Sequence, residues 1–362
     1  METYVSTMEI VQNPLEKIVK NHTIIAGPCS VENEEQINTI AAELAKNSKV
    51  DILRGGIWKP RTRPNSFEGI GAPALKWLKA AGQAHQLPVA TEVANKYHVE
   101  AALKEDIDVL WLGARTVVNP FAVQEIADAL KGTDIPVMVK NPVNPDLELW
   151  IGAIERLHAV GLDKIMAIHR GFSTTNNSKY RNIPKWDIPI ELKRRVPNIQ
   201  IIVDPSHIGG KRDLIESISQ KAIDLDFDGL MVETHSNPDK ALSDAKQQIT
   251  PSKFNEIIQN LTYRERKSED AKMNLDELRE SIDDLDKDIL DLIIKRMEIV
   301  EDIARFKKEN DVTILQSGRW DKMLADRTKY GETNELSEKF IYELFKAIHS
   351  ESINKQSSIM NK

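Results

Sequence analysis

Four residues of this sequence, of three chemical types, could together bind a transition metal. Cys29 offers a sulfur, His207 a ring nitrogen, and Glu233 and Asp244 carboxylate oxygens. Mixed ligation of this kind suits a divalent transition metal, and a soft thiolate makes magnesium alone a poor fit. The alternative is that Cys29 is only a small buried apolar residue. The residue types alone leave both interpretations open.

A second set of residues is cationic and is suited to binding anions. The set consists of Arg54, Lys59, Arg61, Arg115, Lys140 and Arg170. Guanidinium and ammonium groups bind phosphates and carboxylates through charge-assisted hydrogen bonds. If these cations share one place, they predict a site for substrates with several such groups.

A third set lies in the last quarter of the chain. Arg296 occupies a position in a helical heptad pattern where an apolar core residue is expected. Burying its charge there costs free energy unless an anion pairs with it. Lys307 follows eleven residues later, roughly 20° around the same helix, and Ser352 and Gln356 are four residues apart on another. These residues predict an anion site among helices. The alternative is that Arg296 extends to solvent and the helices only dimerise.

Eight short apolar runs, rich in β-branched residues, predict strands that could position the first two sets. The runs are 23–30, 50–56, 88–93, 109–115, 136–141, 164–170, 199–207 and 229–235. Amphipathic stretches separate most of them, so the pattern predicts a closed (β/α)8 TIM barrel whose polar strand ends meet at one rim. An open doubly wound sheet is the alternative, although the sequence has no dinucleotide fingerprint or Walker loop to support it.

The pattern changes near residue 262. Apolar residues between 275 and 306 are spaced alternately three and four apart, which predicts a heptad seam on a helix of about 32 residues. Shorter helices are predicted over 319–330 and 337–356. We expect the two shorter helices to pack on this seam, and because they leave the long helix overhanging, we expect an intertwined homodimer. The predicted organisation is an N-terminal extension (1–22), a barrel (23–262), a linker (263–271) and a small all-α domain (272–362).

Composition narrows the class of protein. The net charge of −7 argues against a dedicated nucleic-acid binder. No run reaches membrane-spanning length and the N-terminus lacks the apolar core of a signal peptide, so no membrane partner is expected. The single cysteine excludes an intrachain disulfide, and a cytoplasmic location is the simplest expectation.

Several motifs, in order over about residues 20–262, resemble 3-deoxy-D-arabino-heptulosonate 7-phosphate (DAHP) synthase in its short form. They are GPCSVEN, LRGGIWKPRTRPNSFEGIG, GAR, VMVKNP, IHRGF, VDPSHIGGKRD and DGLMVETHSNPDKALSD. The resemblance implies a metal-dependent condensation of phosphoenolpyruvate with erythrose 4-phosphate that releases phosphate. A related barrel family, 3-deoxy-manno-octulosonate-8-phosphate synthase, has a KANRS-like motif where this chain has KPRT. The KPRT version implies the four-carbon sugar as substrate.

The resemblance also implies roles for single residues. Cys29, His207, Glu233 and Asp244 would bind Mn²⁺ or Fe²⁺. Arg54 and Lys59 would meet the carboxylate of phosphoenolpyruvate, Arg115, Lys140 and Arg170 its phosphate, and Arg61 and Thr62 the phosphate of erythrose 4-phosphate. Lys140, Lys59 and His207 would be catalytic.

Residues 272–358 resemble the all-helical chorismate mutase family, through LDELRESIDDLDKDILDLIIKRMEIVEDIARFKK, GRW and HSESINKQ. The implied chorismate-binding residues are Arg279 (from the neighbouring protomer), Arg296, Lys307, Arg319, Ser352 and Gln356. Lys307 and Gln356 would be catalytic by stabilising charge on the breaking ether oxygen. The sequence departs from the family at Trp320, where an acidic residue is expected, and at Gln316, where aspartate is frequent.

These resemblances favour a bifunctional enzyme of aromatic amino-acid biosynthesis. The alternative is a DAHP synthase whose helical tail is not catalytic and serves dimerisation and feedback sensing of prephenate or chorismate. Trp320, which departs from the mutase pattern, is the residue that supports this alternative. A third reading, a non-catalytic metal-binding barrel, would require most of the polar strand ends to be incidental. We further expect that prephenate inhibits the barrel through the helical domain.

Overall fold

The computed structural model describes residues 8–16, 22–47, 49–60, 66–175, 178–264, 269–315 and 317–361, with the backbone alone for residues 47, 269–274, 277 and 317. It divides into two compact units, Met1–Arg264 and Glu265–Lys362. The domain boundaries predicted from the sequence stay predictions.

The first unit is a closed barrel of eight parallel strands in sequence order. The strands are β1 (Thr23–Gly27), β2 (Ile52–Arg54), β3 (Val89–Val93), β4 (Val109–Leu112), β5 (Val137–Lys140), β6 (Ile165–His169), β7 (Gln200–Val203) and β8 (Gly229–Glu233). The last strand pairs with the first, with Thr23 opposite Gly229 and Gly27 opposite Glu233. The predicted (β/α)8 architecture is confirmed, and each of the eight predicted runs contains one strand.

Ten helices accompany the strands in the described part of this unit. They are α1 (Glu34–Asn47), α2 (Pro73–His85), α3 (Lys96–Lys104), α4 (Ala114–Val117), α5 (Pro120–Leu130), α6 (Leu147–Ala159), α7 (Asp187–Arg195), α8 (Pro205–Gly209), α9 (Ile215–Asp224) and α10 (Pro251–Asn260). Short polar residues cap several N-termini: the side chains of Asn95, Asn119 and Asp146 accept backbone N–H groups of the first turn.

Successive side chains of each strand point alternately into the barrel and toward the helices, which produces two separate hydrophobic cores. Ile25, Trp111, Met138 and Met231 belong to a buried cluster inside the barrel, which Leu15 joins from the segment before β1. The intervening strand residues belong to a second cluster with the apolar faces of the helices. Because the barrel is filled by side chains, its chemistry must lie at the strand ends.

The second unit consists of three helices in the described residues, α11 (Glu269–Glu309), α12 (Ser317–Thr333) and α13 (Glu338–Met360). Both α11 and α12 pack against α13. The buried stripe of α11 is Met297, Val300 and Ala304, and Ile341 of α13 is also buried.

The predicted heptad seam of α11 is not the stripe that α13 covers. Its seam residues, from Leu275 to Phe306, are between 39% and 65% exposed in the single chain. The long helix therefore has two apolar stripes, and the sequence expectation that the shorter helices partner the seam was wrong. The seam is an exposed apolar face of the single chain.

Among the described residues, none of the helices combines the length and the apolar character that crossing a membrane requires.

Candidate active sites

Three of the four predicted metal ligands converge at the carboxyl ends of β1 and β8. The ligand atoms of Cys29, Glu233 and Asp244 lie within 4.8 Å of one another. His207, on α8 after β7, approaches the same group, with Nε2 at 3.8 Å from Glu233 Oε1. The cysteine, histidine and two acids that lie far apart in sequence are thus neighbours in space.

The donor set fits a transition-metal ion. It offers one sulfur, one nitrogen and two carboxylates, and Glu233 Oε1 is buried with no hydrogen-bond partner among the described residues. His207 Nδ1 lies 2.7 Å from Asp204 Oδ2, which turns Nε2 toward Glu233. A carboxylate that holds the far nitrogen of a histidine is the usual support of a metal ligand.

Burial and charge set the protonation of this group. Burial, with the charge of Glu233, raises the pKa of the Cys29 thiol to about 12, although Lys59 Nζ lies 3.1 Å from its sulfur. Burial lowers the pKa of His207, so its imidazole is neutral near pH 7 and able to bind a metal. Burial alone would raise the pKa of Glu233, but the positive charges of neighbouring groups, including Arg54 and Lys59, outweigh that effect and lower it.

A buried cationic surface adjoins the group formed by Cys29, His207, Glu233 and Asp244, which we call the cage. Arg54 is 1% exposed and Lys140 3% exposed, and both lie over the ring of Trp111. Arg54 NH1 is 3.4 Å from Glu233 Oε1, and Lys140 Nζ is 3.2 Å from Asp204 Oδ2. Within the described residues, Nε and NH1 of Arg54 have no hydrogen-bond partner. Buried donors without partners indicate a place for an anionic ligand.

Arg170 and Arg115 extend this surface toward solvent. Asn182 Oδ1 accepts a hydrogen bond of 2.7 Å from Arg170 NH1, and Arg115 NH1 donates to Pro60 O at 3.3 Å. Burial lowers the pKa of Arg170 to about 10, and the charges of Arg181 and Arg115 add to that effect. A bound phosphate would relieve this crowding of positive charge. Arg61 and Thr62, the predicted sugar-phosphate ligands, lie outside the described residues.

The helical unit joins four of its predicted binding residues in two contacts. Arg296 NH1 donates to Ser352 Oγ at 2.7 Å, and Lys307 Nζ donates to Gln356 Oε1 at 3.1 Å. Ser352 and Gln356 are both buried. Burial lowers the pKa of Lys307, and the charge of Arg319 adds to that effect.

Arg279 and Trp320 lie in surroundings that differ from those of the four residues above. Arg279 is exposed and pairs with Asp276, and it precedes Arg296 by 17 residues, roughly 26 Å along α11. One protomer therefore does not bring Arg279 to Arg296. Trp320 stacks on His349, with ring centroids 4.2 Å apart, and Gln316 lies outside the described residues.

Comparison with known proteins assigns both units. Residues 16–267 match the family model of the DAHP synthetase I family. The chain belongs to the DAHP synthetase I family. Residues 278–357 of this DAHP synthase match the model of chorismate mutase type II. The chain is thus a bifunctional enzyme of aromatic biosynthesis, with a synthase barrel and a mutase domain, as the motifs predicted.

Individual relatives agree with the family assignment of the synthase. A phospho-2-dehydro-3-deoxyheptonate aldolase of Thermotoga maritima is 35% identical over 239 residues, 66% of this chain and 68% of the relative. A 2-dehydro-3-deoxyphosphooctonate aldolase of Francisella tularensis subsp. holarctica is 26% identical over 65% of this chain and 88% of its own. A crystal structure of the Thermotoga maritima DAHP synthase matches with a TM-score of 0.59 at 34% identity, covering 66% of this chain and 67% of that one.

Sequence reasoning missed several residues that support the site of this DAHP synthase. Asp204 contacts both Lys140 and His207, and Arg181, Asn182 and Gln247 hydrogen-bond residues of the predicted site. Asp204 could have been noticed, because it directly follows a strand and precedes Pro205 and His207. Arg181 and Asn182 lie in a loop and Gln247 ends a 3-10 helix of three residues, and no periodicity marked any of them.

Proposed function

We propose that the barrel condenses phosphoenolpyruvate with erythrose 4-phosphate to give DAHP and inorganic phosphate. The observation that supports this best is the buried cationic surface of Arg54 and Lys140, which adjoins a mixed sulfur, nitrogen and oxygen cage. Two anionic substrates need such cations, because their mutual repulsion must be offset before their carbons can meet.

Cys29, His207, Glu233 and Asp244 would hold the divalent ion, for which we propose Mn²⁺ or Fe²⁺. When bound, the ion supplies Lewis acidity to the aldehyde oxygen of the sugar. Asp204 keeps the imidazole of His207 oriented through Nδ1.

The cations divide between the two ends of phosphoenolpyruvate. Arg54 and Lys59 would bind its carboxylate, since Arg54 offers free N–H groups and both side chains donate to the carbonyl oxygen of Cys29. Arg115, Lys140 and Arg170 would bind its phosphate. Arg61 and Thr62 would bind the phosphate of erythrose 4-phosphate, which the KPRT segment favours.

The reaction also requires proton transfers. C3 of phosphoenolpyruvate bonds to the aldehyde carbon, water adds at C2, and the C2–O bond to phosphate breaks. Burial would lower the pKa of Lys59, but Cys29, in its thiolate form, and Glu233 raise it overall, so Lys59 stays protonated and can donate to the former aldehyde oxygen. Lys140, paired with Asp204, would receive the leaving phosphate.

A phosphate-release assay tests the substrate assignment. With Mn²⁺ present, release should require both phosphoenolpyruvate and erythrose 4-phosphate and should be much slower with a five-carbon aldose phosphate. Faster release with the five-carbon sugar would assign the barrel to octulosonate chemistry instead.

For the helical unit, we propose that chorismate rearranges to prephenate between Arg296, Lys307, Arg319, Ser352 and Gln356 of one protomer. The rearrangement is intramolecular and needs no nucleophile, so binding and electrostatics suffice. Lys307 and Gln356 already contact each other, and both can donate hydrogen bonds to the ether oxygen as its C–O bond breaks.

Arg279 would reach this site from a second copy, because its own helix places it far from Arg296. We therefore propose a homodimer through the exposed seam of α11. Mixing the inactive variants Arg279→Ala and Gln356→Ala, after unfolding and refolding together, should restore about a quarter of the wild-type mutase rate, since half of the dimers are mixed and each has one intact site. Binding of chorismate without turnover by the wild type would favour a non-catalytic sensing tail.

The remaining predictions concern regulation and location. We propose that prephenate inhibits the barrel through the helical domain and that the enzyme is cytoplasmic. The basis for inhibition is the fusion of the two enzymes in one chain. Synthase rates that do not change in saturating prephenate would remove this proposal.

A further inference from the structure

The two carboxylates of the metal cage are joined from outside by a bridge of one glutamine and one arginine. Gln247 Nε2 donates to Glu233 Oε2 at 2.7 Å. Arg181 NH1 donates to Gln247 Oε1 at 2.5 Å and to Asp244 Oδ1 at 3.1 Å. Glu233 and Asp244 are therefore tied together through side chains that are not metal ligands.

The bridge occupies one oxygen of each carboxylate. The other oxygen of Glu233 lies 3.8 Å from His207 Nε2, and the other oxygen of Asp244 lies 3.4 Å from Cys29 Sγ. The outer oxygens are thus held by amide and guanidinium donors, and the inner oxygens face the sulfur and the imidazole. The bridge thus leaves the inner oxygen of each carboxylate to approach an ion, and Arg54 NH1 lies 3.4 Å from that of Glu233.

The fold supports Arg181 and Gln247 in these positions. Gln247 is 1% exposed. Arg181 packs against Gly210, whose φ is +65° and where an added Cβ would come within 2.4 Å of the Arg181 Cβ. The next residue, Asn182, donates to the carbonyl oxygen of His207 at 2.6 Å, so the same segment also fixes the histidine. These contacts anchor the bridge to three of the proposed ligands.

We propose that Arg181 and Gln247 are positioning residues that fix Glu233 and Asp244 as one-oxygen ligands and thereby select a small transition metal over calcium. Calcium takes six to eight oxygens, often from two-oxygen carboxylates. A cage that offers one oxygen per acid beside sulfur and nitrogen suits Mn²⁺ or Fe²⁺ better. This inference rests on the metal site of the proposed function.

The direction of the change in metal affinity distinguishes a positioning role of Arg181 from a purely electrostatic one. Arg181 carries a positive charge that repels a cation, so its removal should tighten metal binding if charge alone mattered. If Arg181 positions the carboxylates, its removal should weaken metal binding despite the lost repulsion. The two explanations therefore predict opposite changes in the dissociation constant.

The test measures Mn²⁺ and Ca²⁺ affinity of the full-length, chelator-stripped chain by competition with a fluorescent chelator. Arg181→Met and Gln247→Leu should weaken Mn²⁺ binding by about 10-fold to 100-fold, as loss of a residue that orients metal ligands does, and should lower the preference for Mn²⁺ over Ca²⁺. The matched control is Arg156→Met, because Arg156 NH1 makes the same kind of bond to Gln124 Oε1, at 3.0 Å, between α6 and α5. That variant should bind Mn²⁺ within twofold of wild type.

Arg181 is exposed, so its substitution should leave the fold intact even if Gln247→Leu unfolds the buried site. An Arg181→Met chain that binds Mn²⁺ as tightly as wild type, or more tightly, would overturn the proposal. So would an unchanged Mn²⁺ affinity with a raised KM for phosphoenolpyruvate at saturating metal, which would make Arg181 a substrate-binding residue. Failure of the wild type to bind Mn²⁺ would contradict the metal site itself and this inference with it.

Discussion

Arg54 and Lys140 are almost fully buried cations at the carboxyl ends of β2 and β5, and each has one nearby carboxylate. Burying a charged group costs several kcal/mol unless it is paired and hydrogen-bonded. In the proposed reaction, the carboxylate and phosphate of phosphoenolpyruvate would complete the pairing and offset this cost. The types of these residues could be recognised in the sequence. Glu233, which pairs with Arg54, was also predicted. Asp204, which pairs with Lys140, was not, although its position directly after β7 marks it, and Arg181 and Gln247 lie in segments that show no strand or helix periodicity.

Lys140→Met should lower kcat/KM for phosphoenolpyruvate by about 10-fold to 150-fold, since a hydrogen bond to a charged group contributes ~1.5–3 kcal/mol. Steady-state phosphate release measures the change. Lys164→Met is the matched control, because Lys164 also pairs with an aspartate, Asp134, but precedes the first residue of β6, at the other end of the barrel. Equal losses in the two variants would contradict the role of Lys140.

His169, at the end of β6, should make the barrel sensitive to acid. Burial lowers its pKa to about 3 from an ordinary value of 6.5. The unfolded chain therefore binds a proton that the folded chain does not between these two pH values, so the stability present above pH 6.5 is lost as the pH falls toward 3. His169→Gln should remove up to about 1.4 kcal/mol per pH unit of this dependence, measured by urea unfolding at pH 6.5 and 4.5. An unchanged pH dependence in the variant would show that other groups cause it.

At the scale of elements, the sequence pattern predicted all eight strands and the three C-terminal helices, because periodicity reports which faces are apolar. It did not distinguish the two apolar stripes of α11. Met297, Val300 and Ala304 pack in the chain itself, whereas the heptad seam stays exposed. A pattern shows that a face must be covered, but it does not show whether the cover is the same chain or a second copy.

Charged substitutions in this seam should separate the protomers. Leu285→Lys with Ile289→Lys should yield a monomer that keeps its helical circular dichroism and its synthase activity but loses mutase turnover, because Arg279 no longer reaches a partner site. Light scattering after gel filtration measures the mass. Asp284→Lys with Asp288→Lys, exposed neighbours off the seam, should stay dimeric. A dimer in the seam variant would place the interface elsewhere.

At the scale of the whole molecule, the chain joins two chemistries with different requirements. The barrel combines a cage for a divalent ion with a buried cationic surface, and the helical unit relies on cations and hydrogen-bond donors alone. Motifs over about residues 20–262 predicted the synthase, and motifs over residues 272–358 predicted the mutase. The difference in requirements means that one sample of the enzyme can serve as its own control.

The most direct test measures both activities in the same sample before and after chelation. Phosphate release from phosphoenolpyruvate and erythrose 4-phosphate should fall at least about 100-fold in chelator-stripped enzyme and return when Mn²⁺ is added, whereas chorismate consumption should stay within twofold throughout. Cys29→Ser should lower the synthase rate and leave the mutase rate intact. A full synthase rate in enzyme verified to be free of metal would contradict the central claim that a thiolate-bearing metal cage and a cationic surface act together at the end of the barrel.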